Sequence, residues 1–264
     1  MSSSKLVIQG AAGALGGESL NIEDVFSTYL YDGNGSTQTI TNGIDLDGEG
    51  GLVWIKPRNA ALSHNLFDTE RGFGTTYAYR IFSNETNAQS ELADGVSSFN
   101  SNGFSLGNSS IVNGSSYNYA SWTFRKAPKF FTFLTYTGDG VAGRTVSHDL
   151  GSVPGCIMVK KYAGSGGGEP WEVYHRGVDS TAPEDYRLIL NTTSARSDSS
   201  TRWNDTAPTS TEFTLGNESS VNGSGISYVA YLFAHNDDDG EFGPDGDADI
   251  IKCGSYAGSD HRSE

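Results

Sequence analysis

The chain reads as short apolar runs separated by turn residues. Gly51-Leu-Val-Trp-Ile-Lys56 and Gly155-Cys-Ile-Met-Val-Lys160 are continuous apolar stretches, the pattern of strands buried on both faces. Phe104-Ser-Leu106 and Phe213-Thr-Leu215 alternate apolar with polar, as a strand with one wet face does. Asn113-Gly-Ser115 and Asn222-Gly-Ser224 carry an Asn-Gly hairpin signal and lead into aromatic strands at 119–124 and 228–233. One segment supports two periods. Ile22, Val25, Phe26, Tyr29 and Leu30 fall at helical spacing behind an Asn21 cap. Residues 25–31 also align with 130–136, where Phe131-Thr-Phe-Leu-Thr-Tyr136 is strand-like, and that alignment decides for strand.

The alignment belongs to a duplication. Tyr31-Asp-Gly-Asn-Gly35 returns as Tyr136-Thr-Gly-Asp-Gly140, and Asn84-Glu-Thr-Asn-Ala88 as Asn191-Thr-Thr-Ser-Ala195. The sharpest match sets Phe104-Ser-Leu-Gly-Asn-Ser-Ser-Ile-Val-Asn-Gly-Ser115 against Phe213-Thr-Leu-Gly-Asn-Glu-Ser-Ser-Val-Asn-Gly-Ser224. A colinear series of this length predicts two copies of one fold with small loop insertions between them. Each copy holds seven or eight strands in about 105 residues, the size of a two-sheet sandwich. The expected class is therefore all-β, two tandem β-sandwich repeats of jelly-roll or concanavalin-like type, with an extended N-terminal arm.

The expected boundaries are an arm over 1–24, repeat 1 over 25–128 and repeat 2 over 129–247. Residues 248–264 are either a partial third repeat or a strand completing the second, since Asp249-Ile-Ile-Lys-Cys-Gly-Ser-Tyr256 resembles the opening of repeat 2. Residues 129–136 are expected to pair with the first copy before opening the second. The Gly- and Ala-rich stretch before residue 20 buries little, and such an arm gains order by lying on a partner. Trp54, Phe82, Phe104, Trp122, Phe124, Trp171, Phe213, Tyr231 and Phe233 are expected between the sheets as core.

Charge narrows the function. Lys+Arg is 17 and Asp+Glu is 32, so the formal net charge is −15, which repels phosphate backbones and anionic lipid. No apolar run reaches the roughly 18 residues of a spanning helix, and the first ten residues lack the pattern of a signal peptide. Cys156 and Cys253 are too few for a disulfide framework and form no zinc pair; they read as small buried hydrophobes, with a single disulfide as the alternative.

Little in the sequence asks for catalysis. His64, His148, His175, His235 and His261 sit neither at metal-ligand spacing nor in a nucleophile motif, and each reads as a surface histidine. No carboxylate pair stands out for glycoside hydrolysis. The Asn-X-Ser/Thr sequons read as turn chemistry. The strongest anomaly is the acidic stretch 236–249. It reads first as a solvated linker and second as a Ca²⁺ site made of Asp237, Asp239, Glu241, Asp245 and Asp247, hard oxygen ligands on glycine-permitted turns. Asp45, Asp47 and Glu49 form a weaker set of the same kind.

The series Tyr136-Thr-Gly-Asp-Gly140, Thr145–Lys160, Trp171-Glu-Val-Tyr-His-Arg176, Trp203–Phe213 and Tyr228–His235 resembles a repeated domain of unknown function found in structural proteins of tailed bacteriophages, notably marine and cyanobacterial ones. The resemblance implies a place on a virion and no reaction. The resulting expectation is a non-enzymatic virion surface protein, either a tail-fibre or tail-associated adhesin or a capsid decoration or head fibre. Its arm would meet other virion proteins, and it would form a homo-oligomer on the particle. Host-surface polysaccharide would be contacted through Tyr174, His175, Trp203 and Asn204. The alternatives are a purely mechanical decoration protein and a polysaccharide-degrading enzyme on a jelly-roll scaffold.

Overall fold

The computed structural model describes residues 20–256. Most of the expected arm and the last eight residues lie outside them. Repeat 1 opens with one helical turn, α1 (Ile22–Val25), and runs through β1 (Phe26–Asp32), β2 (Gln38–Thr41), β3 (Gly51–Pro57), β4 (Asn65–Asp68), β5 (Tyr79–Phe82), β6 (Ser90–Glu91), β7 (Val96–Asn100), β8 (Gly103–Leu106), the turn α2 (Ser110–Asn113) and β9 (Asn118–Arg125). Repeat 2 follows with β10 (Phe131–Thr137), β11 (Arg144–Ser147), β12 (Pro154–Ala163), β13 (Glu172–His175), β14 (Tyr186–Ile189), β15 (Ser197–Asp198), α3 (Ser200–Trp203), β16 (Glu212–Leu215), α4 (Ser219–Asn222) and β17 (Ser227–Ala234). A 3₁₀ turn at Pro183–Asp185 precedes β14.

The duplication holds strand for strand in the large sheets and in part in the small ones. The large sheets run β1-β9-β3-β4-β5-β6 and β10-β17-β12-β13-β14-β15, and each faces a small sheet, β2-β8-β7 in repeat 1 and β11-β16 in repeat 2. All pairings are antiparallel. In repeat 2 the helical turn α3 stands where β7 would be. The two copies also repeat their polar fastenings. Tyr31 stacks on Tyr119 at 5.0 Å and donates to the Val112 carbonyl; Tyr136 stacks on Tyr228 at 5.1 Å and donates to the Val221 carbonyl.

The Asn-Gly signals mark something other than hairpins. Asn113 and Asn222 end the helical turns α2 and α4, and the following glycines keep φ at −68° and −60° rather than the positive values a type I′ turn needs. The asparagines are buried clamps. Asn222 Nδ2 donates to Asp139 Oδ1, the Val141 carbonyl and the Gly216 carbonyl, while its Oδ1 accepts from the Asp139 amide and from Arg144. Asn113 does the same with Asn34, Ser36 and Gly107. Gly33 and Gly138 are required beside these clamps, since a Cβ would meet the Gly114 or Gly223 carbonyl oxygen at 2.2 or 2.3 Å.

The segment with two periods obeys both. Ile22–Val25 forms a single turn, with the Asp24 carboxylate accepting from the Asn21 amide at 2.7 Å, and the chain then extends as β1. Val25 is buried and Leu20 packs beside it, so the expected arm ends short of residue 24 and its last residues belong to the fold.

Each repeat has its own core between large and small sheets. In repeat 1 it includes Ile40, Val53, Ile55, Phe67 and Phe104; in repeat 2, Val146, Ile157, Val159, Phe213 and Leu232. A third core was not expected. It joins the outer faces of the two large sheets, setting Leu52, Leu66 and Ile81 against Phe131, Phe133, Met158, Val173 and Tyr231. The two sandwiches are therefore stacked back to back around shared apolar surface, which is why several aromatics sit on faces that a solitary sandwich would leave wet. Phe130 and Phe131 pack into this core, but β10 pairs with β17 and with no strand of repeat 1.

Polar bonds stitch the same interface. The Tyr231 hydroxyl donates to Asp68 Oδ2 at 2.6 Å, and that carboxylate also accepts from Arg71 Nε at 2.6 Å, with both Asp68 and Arg71 side chains fully buried. The Trp171 indole donates to the Phe82 carbonyl at 2.7 Å. Lys160, buried on β12, donates to the Thr86 carbonyl of repeat 1 at 2.8 Å and to the Glu169 carbonyl.

Residues 248–256 neither complete a sheet nor begin a new one. Ile250 and Ile251 pack on the cores, their amides donate to Asn236 Oδ1, and Ala248 bridges Phe242. Among the described residues no helix is long and apolar enough to cross a membrane.

Candidate functional site

Where the two large sheets part, the shared core opens into a cleft. Antiparallel register arranges the repeat 1 side in three rows. Phe26, Phe124 and Leu52 lie opposite one another and are packed into the shared core. The next row, Thr28, Trp122 and Trp54, reaches the lip; the outermost, Leu30, Ala120 and Lys56, carries Leu30 at 57% exposure. Directly opposed residues share a face, so the tryptophans sit side by side, edge to face at 6.2 Å. Both are half-buried.

His64, just before β4, completes the wall. Its Nδ1 accepts from the Trp54 indole Nε1–H at 2.8 Å, and its amide donates to Asn84 Oδ1 at 3.0 Å. Burial, and then the charge of Lys56, lowers the His64 pKa, so the imidazole is neutral at pH 7. The facing wall comes from repeat 2 as residues 190–193, Leu-Asn-Thr-Thr. The cleft is shallow and open, with a volume of about 380 Å³, at the lower end of ligand clefts, which run roughly 300–1,000 Å³. Rigid aromatic faces beside amide and hydroxyl groups can hold a sugar ring, stacking its C–H face and bonding its hydroxyls.

Sequence reasoning placed Trp54 and Trp122 in the core and His64 on the surface, because a strand residue's two faces are equivalent until its partner sheet is known. The Trp54 run, Gly51-Leu-Val-Trp-Ile-Lys56, is apolar on both faces and so requires cover on the second face, whereas the Trp122 strand alternates with Ser121 and Thr123 and carries no such signal.

The residues expected to bind glycan do not form one site. Tyr174 and Trp203 meet edge to face at 6.2 Å but are buried in the repeat 2 core, 4% and 2% exposed. Tyr174 does line a groove of about 560 Å³ with Val153, Pro154, Arg176, Asp179 and Pro183, and burial, then Glu184, pushes its hydroxyl pKa up to about 12. His175 points to the opposite face of β13, where its Nδ1 accepts from the Gly177 amide. Asn204 closes α3 in the left-handed conformation, φ 55°, and bonds Thr206.

The acidic loop is similarly dispersed. The Asp239 carboxylate accepts from the Asp237 amide, Glu241 pairs with Lys129 at 2.8 Å, Asp237 lies 4.0 Å from Lys252, and Asp245 and Asp247 face solvent. Asp249 is the loop's acceptor, taking the Asp238 and Gly240 amides, which together with Lys252 hold its carboxyl below the usual range. Phe242, which breaks the ligand series, is a buried plug on Phe130. Asp45 caps the Gly48 amide, and Glu49 pairs with Arg125. Among the described residues no group of three or more His, Cys, Asp or Glu side chains is gathered around a metal position. Cys156 and Cys253 are free thiols, with burial pushing Cys156 up to about 12.

No curated protein matches the chain, and no solved structure does. One family does, over residues 22–130 and again over 128–245, so that two consecutive copies of the same unit cover nearly all of the described chain. The chain belongs to that family, described as "Domain of unknown function (DUF7483)", and carries two copies of it.

Proposed function

We propose that the protein is a non-enzymatic structural protein of a bacteriophage virion surface, as a tail-associated adhesin or a capsid decoration, and that it contacts host-surface glycan through the cleft between its repeats. The observation that carries the binding role is Trp54, half-exposed at the mouth of the shared core, edge to face with Trp122 and lining a cleft together with hydroxyl and amide groups of the second repeat. The virion setting rests on the sequence resemblance. A rigid two-repeat body suits that setting, because many copies on one particle add weak contacts through effective concentration. The deepest carboxylates support a role without turnover: Asp68 is held by Arg71 and Tyr231, and Glu172 by Arg187 and Ser220.

A glycan array with the purified protein, run beside a reducing-sugar release assay, tests this. Binding without release is expected. Release of sugar would replace the reading with a polysaccharide-degrading enzyme, and labelling of intact particles that finds no copies on the surface would remove the virion setting.

A further inference from the structure

The charges around the cleft decide which glycans it admits. We propose that it takes an uncharged polysaccharide segment laid across both repeats, and that His64, as neutral imidazole donating from Nε2, is the residue that selects it. This rests on the glycan reading above and narrows it.

The bond from the Trp54 indole fixes the tautomer. An indole nitrogen only donates, so His64 Nδ1 must be the lone-pair nitrogen, and the ring proton of the neutral imidazole then resides on Nε2. Apart from His64, the residues lining the cleft, Trp54, Ser83, Asn84 and 190–193 (Leu-Asn-Thr-Thr), carry no ionisable group. Two charges of the flanking segments, Lys56 and Glu85, are engaged within their own loops. Lys56 Nζ donates to the Pro57 and Ala60 carbonyls at 2.6 and 2.9 Å, and Glu85 accepts from Ser63 and from Asn87. No charged side chain faces His64 from residues 190–193. A sugar carboxylate or sulfate would thus enter without a cation to pair it, into a protein of net charge −15.

The same geometry gives the cleft a direction of response to pH. Protonating His64 removes the acceptor of the Trp54 indole and puts a cation between the tryptophan and Asn84. His64 has its pKa lowered from the ordinary imidazole value, so the neutral form, and with it the binding geometry, is fully present at neutral pH and is lost only as pH falls through that lowered pKa.

The test is affinity electrophoresis in gels containing dextran, mannan or laminarin as neutral probes and alginate or heparin as polyanions, at about pH 7.5 and about pH 5. The wild type should be retarded by at least one neutral polymer at the higher pH, insensitive to added salt, with affinity falling roughly tenfold at the lower pH, the equivalent of one hydrogen bond. His64→Gln, which keeps an acceptor for the indole and does not titrate, should bind more weakly but lose the acid-induced fall. Salt-sensitive preference for a polyanion, or a His64→Gln profile that still falls with acid, would overturn this inference and leave the glycan reading standing. Retardation by no polymer of either class at either pH would overturn both.

Discussion

Removing one oxygen atom from Tyr231 should loosen both repeats together. Tyr231 is fully buried on β17 of repeat 2, and its hydroxyl donates at 2.6 Å to Asp68 of repeat 1, whose carboxylate is shared with Arg71. Burial raises the hydroxyl's pKa well above its ordinary value, with the Asp68 charge adding to it, so it remains a donor at any working pH. Tyr231→Phe keeps the ring and leaves no cavity. A hydrogen bond to a charged acceptor contributes about 1.5–3 kcal/mol, and because Asp68 keeps Arg71 the cost should be near the middle, about 2 kcal/mol. For a body of this size that lowers Tm by about 4–8 °C. Urea unfolding followed by hydrogen exchange of peptides from β3 and β12 reads each repeat separately. Both should shift to the same lower midpoint. If only the repeat 2 peptides shift, the repeats unfold independently and the shared core does not couple them.

Other consequences are as direct. Asn113→Ala and Asn222→Ala each strip a buried clamp and should cost about 3 kcal/mol or more of unfolding free energy measured by urea titration, with similar values because the bonded geometry is duplicated. Lys160 has its pKa lowered by burial to about 8, against about 10.4 in an unfolded chain, so the unfolded state holds the extra proton between those values. Stability measured against Lys160→Met should therefore rise as pH climbs from about 8 to about 10.4. Chelator should leave the melting curve unchanged, since the carboxylates of 237–249 are spent on amides, lysines and solvent. Trp54→Ala should abolish neutral-polymer binding while leaving both small-sheet cores intact by near-ultraviolet circular dichroism.

The duplication and the all-β class were legible because both depend on local periodicity, which repeats wherever the fold does. The turn chemistry was legible only in part. Asn-Gly has the same residues whether it closes a hairpin or ends a helical turn, and what separates them at Asn113 is the burial of its side chain among loops distant in sequence. The third core escaped for a related reason. Trp54, Phe131 and Tyr231 announced apolar cover on a second face, but a pattern within one repeat does not say that the cover is the other repeat. Tyr174 and Trp203, which the sequence offers for glycan contact, lie buried in the repeat 2 core; an aromatic at a strand end or in a turn is indistinguishable from a core anchor until its burial is known. The cleft could not be read at all without the stacking of the two sandwiches, since its walls lie more than a hundred residues apart.

The account stands most directly on a structure of the protein with a neutral oligosaccharide bound. It predicts a sugar ring against Trp54, with its far side touching residues 190–193 of the second repeat. A sugar seated in the groove beside Tyr174 and Arg176, or held by one repeat alone, would contradict it.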